Sequence, residues 1–106
     1  MPAKLVTIYW RDIPAQVSAQ SGRTRLAGVL DPRFERDIDR AAMVAGLTGS
    51  DDYLAQWRRT TRVCGDDLVA EAASEVSRID GAYPRERVNL LVANGGWDPE
   101  TGADAE

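Results

Sequence analysis

The segment KLVTIYW at residues 4–10 constrains the fold more than any other. Val, Ile, Thr and aromatic side chains suit a pleated strand. Leu5, Thr7 and Tyr9 alternate with Val6, Ile8 and Trp10, and both parities are largely apolar. A strand with one wet face would alternate cleanly, so this one is predicted to be central and covered on both faces. The RDIP segment that follows ends it, because Pro14 offers no amide to a central ladder. Residues 15–20, AQVSAQ, read as a weaker strand, Ser21-Gly22 as a turn, and residues 23–30, RTRLAGVL, as a third strand. The three form an antiparallel meander, and Gly28 within the last implies a bulge or a close backbone approach.

Helical signals take over next. Asp31 is a favoured N-cap and Pro32 is preorganised for the first helical position. Phe34, Ile38, Ala41, Ala42 and Ala45 recur at helical spacing, Gly46 is the expected terminator, and Leu47 supplies the accompanying apolar contact. Ser50 caps a short helix, DDYLAQW, that presents Tyr53, Leu54 and Trp57, with Asp51 and Asp52 at its positive end. Residues 60–64, TTRVC, are predicted to form a fourth strand, and Gly65-Asp66 breaks it and caps another helix. That helix carries a stripe of Leu68, Ala72, Val76 and Ile79, ends at Gly81, and is barred from continuing by Tyr83-Pro84. The apolar run VNLLV at 88–92 covers the core as either a strand or an extended cap.

The order β-β-β-α-α-β-α predicts an α+β two-layer sandwich: a mostly antiparallel sheet of about four strands with helices on one face. With 106 residues there is room for one domain, assigned to 1–93, and a core that buries roughly two thirds of the unfolded surface. Residues 94–106, NGGWDPETGADAE, are Gly-rich and acidic and read as a flexible tail, in which Trp97 is free to dock on the domain or on a partner.

Composition narrows the chemistry. There is no histidine, which excludes imidazole general-base catalysis, Ser-His-Asp and Cys-His nucleophile pairs, and His-built zinc sites. The lone cysteine, Cys64, cannot close a disulfide and is read as a small buried hydrophobe, since Asp66 and Asp67 oppose a thiolate there. The single lysine, Lys4, lies near the terminus. Asp51-Asp52 and Asp66-Asp67 are adjacent on their helices, do not face one another, and are better read as caps than as acid–base pairs. No residue set implies a metal or a cofactor.

Charge is uneven: residues 1–62 hold ten basic and seven acidic groups, residues 63–106 three and ten. The basic half does not read as a nucleic-acid surface, because its arginines are interleaved with Asp12, Asp31, Glu35, Asp37 and Asp39. No run approaches the length needed to span a bilayer. The N-terminal MPAKLVTIYWRD has no secretory pattern, which with a free thiol places the expected protein in the cytoplasm.

Two clusters stand out. Tyr9, Trp10, Arg11 and Asp12 combine the side-chain types enriched at interface hot spots, and Trp57, Arg58 and Arg59, followed by Arg62, repeat the theme. Each has a plain structural alternative: Tyr9 and Trp10 in the core with Arg11 paired to Asp12, and arginines set against a helix C-terminus. The leading expectation is an accessory protein without catalysis that binds a protein partner through these clusters. The alternative is a binding protein or small enzyme whose arginines, Arg11, Arg58, Arg59 and Arg62 with Arg23 or Arg25, clamp an anionic small molecule. A homodimer through the apolar face of the meander is a third.

YWRDIPAQV at 9–17, DPRFERDID at 31–39 and YLAQWRR at 53–59 carry a resemblance to the small bacterial "virulence factor" domain family, which is similar to a domain of conserved virulence factor C proteins. The resemblance spans roughly residues 4–80. It implies an association with folate- and corrinoid-dependent one-carbon enzymes, so that a methyl-transfer enzyme is the implied partner. It supplies no catalytic residue.

Overall fold

A computed structural model describes residues 3–47 and 51–98. The chain runs β1 (Ala3–Trp10), β2 (Ile13–Ser21), β3 (Thr24–Gly28), α1 (Arg33–Ala45), α2 (Asp51–Ala55), β4 (Trp57–Cys64), α3 (Leu68–Ala82) and α4 (Arg85–Ala93). The strands form one antiparallel sheet in the order β3-β2-β1-β4. The α+β sandwich and the central place of the first strand are both observed.

The pleat sorts the side chains. Leu5 pairs with Ala19 and the buried Thr7 with Val17, and Leu5, Ala19 and Val17 join Phe34 and Ile38 of α1, Ala72 and Ile79 of α3, and Val88 and Leu91 of α4 in one core cluster. Val6, of the opposite parity, is buried outside that cluster, flanked by Ser18 and Thr61 on the neighbouring strands. Gly28 sits where α3 crosses β3: a Cβ there would lie 2.7 Å from Val76 Cγ2. This is the close approach that an inward glycine in a strand implies.

Four boundaries differ from expectation, each for a physical reason. Pro14 lies inside β2 instead of ending the first hairpin. The register shifts between Ile8 and Tyr9, so that Ile8 faces Gln16 and Tyr9 faces Pro14, and the resulting bulge relieves the ladder of the missing amide. The fourth strand starts at Trp57, not residue 60, because pairing with Trp10 and Tyr9 recruits Trp57 and Arg58 into the ladder. The third helix passes Gly81 and stops at Tyr83, the residue before Pro84, where α conformation is disfavoured. VNLLV is helical: Val88, Leu91 and Val92 are the buried residues of α4, a spacing of three and four.

The N-terminal caps fall one residue later than expected: Pro32 takes the N-cap position of α1 and Asp67 that of α3. Asp31 Oδ1 accepts from the Arg33 amide at 2.9 Å. Asp67, the neighbour of Asp66, caps α3 by accepting from the Ala70 amide at 3.1 Å. Gly46 takes φ +73° after α1, and Leu47 N–H returns to Ala42 O at 3.0 Å, closing the helix as glycine allows. Ser50 lies outside the described residues.

Candidate functional site

The chain turns from β1 into β2 through Arg11 and Asp12 alone. A turn that tight, matched to the twist of its strands, needs positive φ, and Arg11 supplies it at +53°. A side chain in that conformation costs roughly 1–2 kcal/mol relative to the right-handed region. Arg11 is the only non-glycine residue with positive φ among the described residues. Its guanidinium is correspondingly well held. Nε donates to Gln56 Oε1 at 3.2 Å and Nη1 to the Gly95 carbonyl at 2.9 Å. The group stacks 5.1 Å from the Trp10 ring centroid and 4.9 Å from that of Trp97. Burial lowers its pKa, and an arginine remains charged regardless.

Trp10 is completely buried. Its Nε1 donates to the Tyr53 carbonyl at 2.9 Å, and the two rings lie 5.5 Å apart. Tyr53 continues the stack edge-on to Trp57, which is 36% exposed. Burial raises the Tyr53 phenol, and Asp39 and Glu35 add to that rise.

Asp12 ties three segments together. Its amide donates to Gly96 O at 2.9 Å, Oδ2 accepts from the Asp98 amide at 2.6 Å, and Oδ1 accepts from Arg58 Nη2 at 3.2 Å. Arg58 also donates from Nε to the Arg11 carbonyl at 2.8 Å and covers the Tyr9 ring at 4.4 Å.

Tyr9, Trp10, Arg11, Asp12 and Arg58 therefore meet in one cluster, with Trp57 at its margin. Arg59 and Arg62 do not join it. Arg59 pairs with Ile8 and lies on the opposite face of β4, whereas Arg62 pairs with Leu5 and reaches Glu75 of α3 at 3.7 Å. Arg25 stands opposite Gln20 in the β2–β3 hairpin, at the far end of β2 from Asp12. Cys64 is half-buried against the core, and burial and Glu71 push its thiol up.

Residues 94–98, read from composition as the start of a flexible tail, belong to the same cluster, with Trp97 docked on the domain, one of the two alternatives expected for it. Asn94–Asp98 runs back over Trp10 and Arg11, and residues 99–106 lie outside the described ones. The signal was the pair Gly95-Gly96. Both take positive φ, and a Cβ on Gly96 would lie 2.8 Å from Trp10 Cζ3. Arg87 anchors the far side through Asp98 at 3.2 Å.

An arginine held by its own turn, two indoles and a returning strap of backbone defines a compact domain whose hot-spot residues are largely spent on internal contacts. The chain matches the family described as Virulence factor over residues 8–92, and it belongs to that family. No curated protein and no solved structure matches it. No helix among the described residues is long and apolar enough to cross a membrane.

Proposed function

We propose that this chain is a small accessory protein that works by binding a protein partner along the outer edge of β4. The observation that carries the reading is the state of that strand. Among the described residues β4 ends the sheet, pairs on one side only, with β1, and is exposed over residues 57–63. An edge strand of this length offers a row of backbone donors and acceptors to an incoming strand. It holds Arg58, Arg59 and Arg62 and no acidic residue; Arg58 and Arg62 are shared with Asp12 and Glu75, whereas Arg59 makes no ion pair among the described residues, so the occupant that fits is an extended segment carrying Asp or Glu. Trp57, partly exposed at the start of the strand, supplies an aromatic anchor of the kind that dominates interfaces.

Self-pairing is disfavoured by the same charges, because two antiparallel copies of β4 would bring their arginines together. A folate- or corrinoid-dependent methyl-transfer enzyme in the cytoplasm is the partner class that the family resemblance suggests. The role of Tyr9, Trp10, Arg11 and Asp12 in this reading is to fix the start of β4, through Arg58 and Trp57, rather than to touch the partner.

The test is reconstitution. A partner that copurifies with the tagged chain is identified, purified and titrated calorimetrically against the wild type, Arg59→Glu and Arg23→Glu, the last in the turn between β2 and β3, away from β4. Reversal of charge at Arg59 is expected to weaken binding by about tenfold or more, with Arg23→Glu unchanged. Equal affinity for all three, or a stable homodimer by light scattering in place of a heterocomplex, overturns the assignment.

A further inference from the structure

A second arginine group lies away from β4 and from the Arg11 cluster. Arg33, Arg36 and Arg40 on α1 and Arg85 on α4 line one cavity of about 250 Å³, completed by Asp37 and Asn89. The spacing of three and four along α1 puts its arginines on one helical face, and Arg85 and Asn89, four apart, present a matching face of α4. In sequence these arginines look neutralised by their neighbours. The helix separates the charges: Glu35, Asp39 and Glu86 are exposed but do not line the cavity, leaving four guanidiniums against one carboxylate.

The four are not equivalent. Arg33 is fixed by the Tyr83 carbonyl at 2.7 Å and by Asp80 at 3.4 Å, and Arg40 by Asp37 at 3.1 Å. The guanidiniums of Arg36 and Arg85 make no hydrogen bond or ion pair among the described residues, although the Arg36 amide donates to Pro32 O at 3.4 Å within the helix. Two guanidiniums are thus positioned and two are available. The helices add to the field. Arg33 meets Tyr83 just before α4, while Ala45 lies against Gly95 just after it, so α1 and α4 run parallel. Both positive dipole ends lie at the arginine end of the groove.

We infer that this groove binds a small, multiply charged oxyanion, a phosphate ester or a polycarboxylate. Guanidinium forks match both groups in bidentate geometry. The volume is at or below the lower end of ligand pockets, which suits a compact metabolite. The flanking Glu35, Asp39 and Glu86 repel a long polyanion, so an extended nucleic acid does not fit.

The experiment titrates inorganic pyrophosphate and citrate separately into the full chain, calorimetrically and at physiological ionic strength. Saturable one-to-one binding of at least one is expected. Pyrophosphate alone assigns the phosphate class, and citrate alone the polycarboxylate class. Arg36→Ala and Arg85→Ala should each weaken binding by about tenfold or more, as expected for loss of a charge-assisted bond. Arg36→Lys should fall between, because it keeps the charge and loses the fork. Arg59→Ala, on the sheet, is the control that leaves affinity unchanged. Circular dichroism confirms that each variant is folded. No saturable binding of either probe, or binding that Arg36→Ala and Arg85→Ala leave intact, overturns the inference. Neither result bears on the β4 edge.

Discussion

The Arg11 guanidinium stacks 4.9 Å from the Trp97 ring centroid, joining the tightest turn of the sheet to the segment that follows the last helix. The turn holds Arg11 in a conformation that disfavours side chains, and the side chain recovers the cost through Trp10, Trp97, Gln56 and Gly95. Arg11→Ala should remove two cation–π contacts and two hydrogen bonds from a charged donor, destabilising the domain by about 2 kcal/mol. Arg11→Gly loses the same contacts but relaxes the backbone, and should be more stable than Arg11→Ala by roughly 1 kcal/mol. Urea titrations of both variants measure the difference. Hydrogen exchange adds a local readout: the Asp12 and Asp98 amides, which bond Gly96 O and Asp12 Oδ2, should lose protection in both variants while the β1–β2 ladder keeps its own. Protected Asp12 and Asp98 amides in Arg11→Ala would show that Arg11 does not hold the strap.

Gly96 tests the strap from the other side. Its φ of +98° and the 2.8 Å approach of a Cβ to Trp10 predict that Gly96→Ala costs about 2–4 kcal/mol, strain and overpacking together. Gly22 has φ +58° with open space around it, so Gly22→Ala should cost only about 1 kcal/mol. The ratio of the two losses, read from denaturation midpoints at constant slope, separates backbone strain from the clash with Trp10. Equal losses would mean that the Trp10 contact carries no energy.

Glu75 is 5% exposed and sets the acid limb of stability. Its carboxylate accepts from Arg78 at 2.6 and 2.9 Å, and this bond holds its pKa below the usual value. Burial works the other way, and the charges of Arg78 and Arg62 reinforce the lowering. A depressed folded pKa means stability that is present in full above the ordinary glutamate value of 4.5 and is lost as pH falls below it. Arg78 and Arg62 are both more than half exposed, so solvent screening limits the contribution to about 1–2 kcal/mol. Glu75→Gln should be destabilised by that amount at neutral pH and should approach the wild type in acid. A constant gap between the two proteins at every pH would assign the effect to packing rather than to ionisation.

These contacts show what was legible in the sequence. The sheet was, because Val6, Ile8, Val17 and Thr61 have strand chemistry wherever they are placed. Helix ends were in part, because Asp31 and Asp67 accept from amides, and Gly46 donates to carbonyls, within a few residues of themselves, whereas Gly81 was read as an end that α3 passes. The site was legible only as a set of residue types. Trp10 and Arg11 were marked as interaction-capable; in the fold Trp10 packs against Tyr53 and Gly96 and Arg11 against Trp97 and Gly95, and the Gly-rich acidic setting of Gly95, Gly96 and Trp97 has the composition of a solvated tail. Gly96 is glycine because a Trp ring lies against it, a long-range fact that no local pattern carries. The cavity arginines failed for a different reason: adjacency in sequence placed Glu35 beside Arg36 and Asp39 beside Arg40, whereas the helix turns those pairs away from one another.

The junction of β3 with α3 gives a prediction in which a second change should reverse the first. Gly28 admits the closest approach of strand and helix: a Cβ would meet Val76 Cγ2 at 2.7 Å and the Ala72 carbonyl at 3.4 Å. Gly28→Ala should therefore destabilise by about 1–3 kcal/mol through overpacking, with no help from backbone strain, since Gly28 is not at positive φ. Val76→Ala removes the offending methyl. By itself it should cost about 1–2 kcal/mol, because Val76 is only partly buried against the core. The double variant should be more stable than the sum of the two losses predicts, by about 1 kcal/mol or more, as expected for residues in direct contact. A thermodynamic cycle over the four proteins measures this coupling. Additive losses would place the strain of Gly28→Ala on the Ala72 carbonyl, which α3 can relieve only by shifting as a unit away from β3.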